Sequence, residues 1–300
     1  MRPRSPDAGS STSSCLLALV GEGIEASLTP PMQEREGHEH GIDLTYRRVD
    51  TLGTGIGRDE LPDLVARLRD EGYDGFNVTH PFKQAVVALL DDVSEQAADL
   101  GSVNTVLVHD GRLLGRNTDW SGFAQALSEG LSESLSESPP AEATDPVLVV
   151  GGGGAGVSVG YGLLHLGFPH VVIADLDVQR AADCVVRLGK RFGDDRVSVA
   201  DDLRKELERA AGVVNATPVG MRGHPGTPFA ADLLSPDQWV SDIVYFPLET
   251  QLVAAARARG CRVVTGGGMA VHQAVEAFTL FTGRPADPSR MRRHFAELAA

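Results

Sequence analysis

VLVVGGGGAGVSVGYGLLHLG, residues 147–167, runs from four aliphatic residues through a cluster of glycines into a segment with helical spacing. A short apolar run that ends in a glycine turn is the pattern of a strand buried on both faces and feeding a helix. Gly151, Gly153 and Gly156 fit G-x-G-x-x-G, with Gly152, Gly154 and Ala155 completing the turn. Such glycines let the backbone approach a dinucleotide pyrophosphate, whose charge the helix N-terminus stabilises. Asp175 lies 19 residues beyond Gly156, at the end of the next apolar run, HVVIAD. Its carboxylate can bond both hydroxyls of an NAD ribose but would repel an NADP 2′-phosphate, so NAD is the expected cofactor. Arg180, at the start of the following helix, either pairs with a carboxylate or meets a phosphate.

Working outward from the glycines, the pattern alternates. GVVNAT, WVSDIVY and CRVVTGG read as strands and TQLVAAARARG as a helix, giving a doubly wound parallel sheet over 147–268. Upstream, CLLALV, LTYRRVD and YDGFNV read as strands, with a helix starting near Pro30 or Pro31 and an amphipathic helix in LPDLVARLRDEG. VNTVLVHDGRLLGRNTD reads as two strands joined at the Asp110-Gly111 turn. The expected fold is therefore α/β, with a first α/β domain over 15–127 and a Rossmann domain after it. Residues 1–14 read as a disordered tail, and the Ser/Glu/Pro-rich stretch 128–146 as a linker or surface loop. A last helix, about 269–283, is expected to pack back on the first domain.

The totals narrow the function classes. A formal net charge of -14 over 300 residues, with no run of Lys or Arg, argues against nucleic acid and for small-molecule partners. Cys15, Cys184 and Cys261 are isolated, which fits reduced core residues of a cytoplasmic protein. CLLALV is too short to span a membrane. His38 and His40 stand close together but lack a third ligand at metal spacing, so no metal is expected. A homodimer is one assembly these features allow.

NVTHPFKQ, residues 77–84, places a lysine oddly. Pro81 suits the first helical position, so the pattern predicts a helix capped by Thr79 or His80 with Lys83 in its first turn. The amides there carry partial positive charge, which loosens the lysine proton unless a carboxylate from elsewhere holds it. A loosened lysine is a candidate acid or base, whereas a solvent-facing lysine is the ordinary reading of any single one.

NVTHPFK, SVNT, RNTDWSG, VVNATPVGM, DIVYFPLETQLVAAARARG and GGGMAVHQAVEAFTLFTG, in this order from about residue 15 to 283, resemble the shikimate dehydrogenase family. The resemblance implies an N-terminal domain for a hydroxylated ring carboxylate, a C-terminal Rossmann domain for the nicotinamide cofactor, and an active site between them. It matches Lys83 to the family's catalytic lysine and Asp119 to its acidic partner. It also matches Ser27 and Thr29 to the hydroxyl pair that receives the substrate carboxylate. Thr79, Asn104, Gln273 and Tyr245 correspond to further substrate contacts, and Gly266 and Met269 to positions near the nicotinamide.

Departures from the common pattern bear on substrate choice. SLTPPMQE carries Thr29 for the second serine and Gln33-Glu34 for His-Asn, and VYFP carries Phe246 for Asn. Thr29, Asp175 and ADLD are more similar to the NAD-using quinate/shikimate branch, implying oxidation of quinate and shikimate. Biosynthetic NADPH-dependent reduction of 3-dehydroshikimate stays open as an alternative, and so does a non-catalytic dinucleotide sensor, since fold alone does not establish chemistry.

Overall fold

The computed structural model describes residues 13–132 and 145–299. Most of the expected tail and of the expected 128–146 loop lies outside these residues. The described parts join regular structure: Ser13 and Ser14 pair with Ile42 and Asp43, and 128–132 extend a helix whose Leu131 is buried.

In chain order the first half holds β1 (Ser13–Gly21), α1 (Thr29–Glu39), β2 (Ile42–Asp50), α2 (Leu61–Asp70), β3 (Gly75–Val78), β4 (Asp92–Val93), α3 (Glu95–Leu100), β5 (Thr105–His109), β6 (Arg112–Arg116) and α4 (Asp119–Ser132). The second holds β7 (Val147–Val150), α5 (Gly154–His165), β8 (Val171–Ala174), α6 (Val178–Phe192), β9 (Val197–Val199), α7 (Leu203–Arg209), β10 (Gly212–Asn215), β11 (Trp239–Asp242), α8 (Gln251–Ala258), β12 (Arg262–Thr265), α9 (Gly266–Thr282) and α10 (Pro288–Ala299).

The strands form two six-stranded sheets, ordered β2-β1-β3-β5-β6-β4 and β12-β11-β10-β7-β8-β9. The second is parallel throughout, with β7 between β8 and β10, the order of a Rossmann sheet with its switch point at the glycine turn. Period-two alternation sends Val147 and Val149 to the core under α4, α5 and α6, and Leu148 and Val150 to the core under α7 and α8. The first sheet is mixed because β5 and β6 form the hairpin expected at Asp110-Gly111, where both residues have positive φ (51° and 74°).

Lys83 is not in the first turn of an α-helix. Residues 80–84 make turns, and a short 3₁₀ helix, Ala85–Leu89, follows. Phe82 and Val86 are both fully buried and hold the helical spacing, with one α-type bond from Val86 N to Phe82 O at 2.9 Å. The chain then leaves for β4, because Asp91 and Leu113 exchange two bonds, at 2.9 and 2.7 Å, that start the pairing with β6.

α4 and α9 join the two halves. Gly122 of α4 admits α9 so closely that a Cβ there would stand 2.8 Å from Gln273 N. Trp120 packs edge-on against Tyr161 and His165 of α5, at 5.2 and 4.8 Å. α10 closes over α1 and α9 through Met291 and Phe295. The fully buried Glu36 receives the Arg290 guanidinium at 2.8 and 2.6 Å and the Asp287 amide at 2.9 Å. Arg290→Ala leaves that carboxylate buried without its guanidinium partner, so it should lower unfolding free energy by about 3 kcal/mol in urea denaturation. A loss under about 1 kcal/mol would show that the pair does not anchor α10.

Candidate active site

The sequence puts Asp119 at the first position of α4, where its backbone N–H is received by Asn117 Oδ1 at 3.0 Å. A carboxylate is favoured at a helix N-terminus. Lys83 reaches it from the turn after β3, Nζ donating to Asp119 Oδ2 at 2.8 Å. The Lys83 side chain is 31% exposed and that of Asp119 6%, so the lysine nitrogen stands at the surface of the pair and can meet a ligand. Asn104 Nδ2 donates to the other carboxylate oxygen at 2.9 Å.

Tyr245 follows β11 and is close enough for the Asp119 charge to act on it: burial first, and then that charge, push its phenol above the ordinary value. It therefore remains a neutral hydroxyl at physiological pH. Glu276 of α9 receives the Ser121 hydroxyl across the α4–α9 contact, and burial pushes its carboxyl up against that bond. Gln273 stands on the same face of contact with α4.

Ser27 and Thr29 flank the start of α1, half-buried, with Thr29 N donating to Ser27 Oγ at 3.4 Å. The loop before them is gathered on Asp50, whose carboxylate receives the Gly23, Ile24 and Leu52 amides at 2.9, 2.8 and 2.9 Å. Thr79 is half-buried beside Gly21, its N–H bonded to Val20 O at 2.9 Å. A cavity of about 310 Å³ between α1 and α10, lined by Arg35, His38, Glu39, Arg293, His294 and Glu297, contains none of the expected site residues.

The glycine turn has the shape a dinucleotide needs. Gly151 has φ 109°, and a Cβ on Gly156 would lie 1.8 Å from Gly151 O, so the turn closes only with glycine there. Gly153 precedes α5 at its N-cap position and supplies no side-chain cap, leaving the first amides of α5 free for an anion, and a Cβ on Gly153 or Gly154 would meet open space. Asp175 receives Gly152 N at 2.8 Å and Asp177 N at 2.9 Å. Arg180 sits 3.6 Å from Asp175 and 3.5 Å from Asp177, the carboxylate-paired form of its two expected states. Gly266 begins α9 against the Ile243 carbonyl, and Met269 lies one turn further along.

The three thiols are buried and free, and burial pushes Cys15 and Cys184 to about 12, which leaves neither as a thiolate nucleophile. Sequence reasoning passed over the polar residues behind Asp119, namely Tyr46, Asn77, Thr105 and Thr118. Asn77 and Thr105 stand inside the NVT and SVNT motifs; Tyr46 gave no signal, being one inward residue of an alternating strand.

Two α/β halves, one carrying a Rossmann glycine turn and the other contributing a lysine paired with a carboxylate, define the architecture of a two-domain dinucleotide-dependent dehydrogenase. Residues 19–106 match the shikimate dehydrogenase substrate binding domain, and residues 266–294 the shikimate 5'-dehydrogenase C-terminal domain. A shikimate dehydrogenase (NADP(+)) of Pseudarthrobacter chlorophenolicus is 47% identical over 291 residues, covering 96% of this chain and 97% of the relative. A quinate/shikimate dehydrogenase (NAD(+)) of Corynebacterium efficiens is 48% identical over 288 residues, covering 95% and 99%. Quinate dehydrogenase from Corynebacterium glutamicum, in complex with NAD, superposes with a TM-score of 0.87 at 44% identity, covering 95% and 99%. The chain belongs to the shikimate dehydrogenase family and is an oxidoreductase, which removes the ground for the sensor reading. Among the described residues no helix is long and apolar enough to cross a membrane.

Proposed function

We propose that the protein oxidises quinate to 3-dehydroquinate and shikimate to 3-dehydroshikimate with NAD, using Lys83 and Asp119 as its proton-transfer pair. The observation that carries this is the 2.8 Å contact between Lys83 Nζ and Asp119 Oδ2 in a half-exposed position, in a chain that also holds Asp175 beside its glycine turn. Oxidation of a secondary alcohol needs the O–H proton removed as the C–H hydride leaves. A bound nicotinamide would supply the hydride acceptor. Lys83, as the neutral amine, receives the hydroxyl proton, and Asp119 stabilises the ammonium that results. Reduction runs the same transfer backwards.

Ser27 and Thr29 receive the ring carboxylate at the start of α1, while Thr79, Gln273 and the Tyr245 hydroxyl contact ring hydroxyls. A site built from neutral hydrogen-bonding groups rejects analogues that lack those hydroxyls. Asn104 stands behind this layer, its amide protons committed to Thr118 Oγ1 at 3.0 Å and Asp119 Oδ1 at 2.9 Å. The Gly151–Gly156 amides would hold the pyrophosphate and Asp175 the adenosine ribose, with Gly266 and Met269 beside the nicotinamide.

A second reading, NADP-dependent shikimate dehydrogenase, draws on relatives at 47% identity that carry that name and on Arg180, whose side chain is 55% exposed and able to leave its carboxylates for a 2′-phosphate. Chromatography with mass detection of a reaction containing quinate or shikimate and NAD⁺ tests the proposal. A product lighter by two hydrogens is expected from each; substrate recovered intact from both would refute it.

A further inference from the structure

The buried polar side chains behind Asp119 are joined in one line. Tyr46 Oη donates to Asn77 Oδ1. Asn77 Nδ2 donates to Thr105 Oγ1 at 2.9 Å and to the Asn104 carbonyl at 2.9 Å. Thr105 Oγ1 donates to Asn104 Oδ1 at 2.9 Å, and Asn104 Nδ2 donates to Asp119 Oδ1 at 2.9 Å. All five residues are buried, Thr105 completely.

The direction of every bond is forced by chemistry at its ends. Asp119 can only accept, and the Thr118 amide, 2.9 Å from Asn104 Oδ1, can only donate, so the Asn104 carboxamide has a single orientation. The Asn104 main-chain carbonyl can only accept, which fixes Asn77 in the same way. Thr105 has one proton; since it accepts from Asn77, it gives that proton to Asn104. Tyr46 meets an acceptor and must donate. Each donor along the line is polarised by the one behind it, and the line ends on the carboxylate oxygen that does not face Lys83.

We propose that Thr105 is a positioning residue for the proton-transfer pair, acting through Asn104 to hold Asp119 with Oδ2 toward Lys83. This rests on the Lys83–Asp119 reading given above. Without the Thr105 hydroxyl, Asn104 loses one of the bonds that fix its orientation and Asn77 loses an acceptor. The carboxylate is then free to shift, and a displacement near 1 Å at a reacting group can cost on the order of 100-fold in rate. Thr105 is completely buried, out of reach of a substrate or cofactor, so its loss should leave binding unchanged.

Steady-state kinetics of full-length Thr105→Val, Thr105→Ser, Tyr46→Phe and Lys83→Ala with shikimate and NAD⁺ test the assignment. Thr105→Val should lower kcat by about 10- to 30-fold with both KM values within about twofold, and Thr105→Ser should restore kcat to within about threefold. Tyr46→Phe, at the far end, should lower kcat by about two- to threefold and supplies the deciding arm if Thr105→Val does not fold. The proposal is overturned by unchanged kcat in Thr105→Val (in Tyr46→Phe, if Thr105→Val is unfolded), by a serine variant as slow as the valine one, or by an effect on KM alone. Wild-type turnover by Lys83→Ala would instead remove the reading beneath it, whatever the Thr105 variants do.

Discussion

Replacing Lys83 with alanine should lower kcat by about 10³-fold and leave dinucleotide affinity within about twofold, because a positioned acid–base group supplies on the order of 10²- to 10⁴-fold. The lysine contributes little to the fold. Its side chain is 31% exposed, and Asp119, its partner at 2.8 Å, keeps the Asn104 amide and the α4 N-terminus when the lysine is removed, so the variant should unfold close to the parent. Initial rates together with a fluorescence titration of NADH separate the two effects. A variant that binds cofactor and keeps more than about a tenth of the parent kcat would remove Lys83 from the chemistry.

The second large effect concerns the cofactor. kcat/KM with NAD⁺ should exceed that with NADP⁺ by about 100-fold, equivalent to about 2.7 kcal/mol. Asp175 is held by two backbone amides, at 2.8 and 2.9 Å, and its side chain is 8% exposed, so it cannot swing away from a 2′-phosphate. Like charges about 4 Å apart near a protein surface repel by roughly 4 kcal/mol, enough to set such a ratio. Arg180 moderates it, being free to leave Asp175 for the phosphate. Asp175→Asn keeps an acceptor for Gly152 and removes the charge, so it should narrow the ratio to under about tenfold. An unchanged ratio would place cofactor choice elsewhere.

The Rossmann half was legible because its signals are local: four aliphatic residues, a turn that only glycine can close, and an acid at the end of the next strand. The Lys83 segment misled because Phe82 and Val86 hold helical spacing whether or not a helix continues, and pairing at Leu113, distant in sequence, draws the chain out into β4. α10 was unread for a similar reason. Its buried residues, Met291 and Phe295, make a narrow stripe, and its main anchor is a carboxylate on Glu36. The line from Tyr46 to Asp119 exists only after β2, β3 and β5 are ordered in one sheet with Asn77 opposite Thr105, a register no single segment encodes.

By the function proposed above, the Lys83–Asp119 pair works with NAD to oxidise a ring alcohol. Initial rates of dinucleotide reduction, with quinate and shikimate each crossed against NAD⁺ and NADP⁺, test it most directly. Turnover of quinate and shikimate with NAD⁺, and weak rates with NADP⁺, is the predicted result. Turnover of shikimate with NADP⁺ alone would contradict it, leaving the family intact but reversing both the cofactor and the substrate assignment.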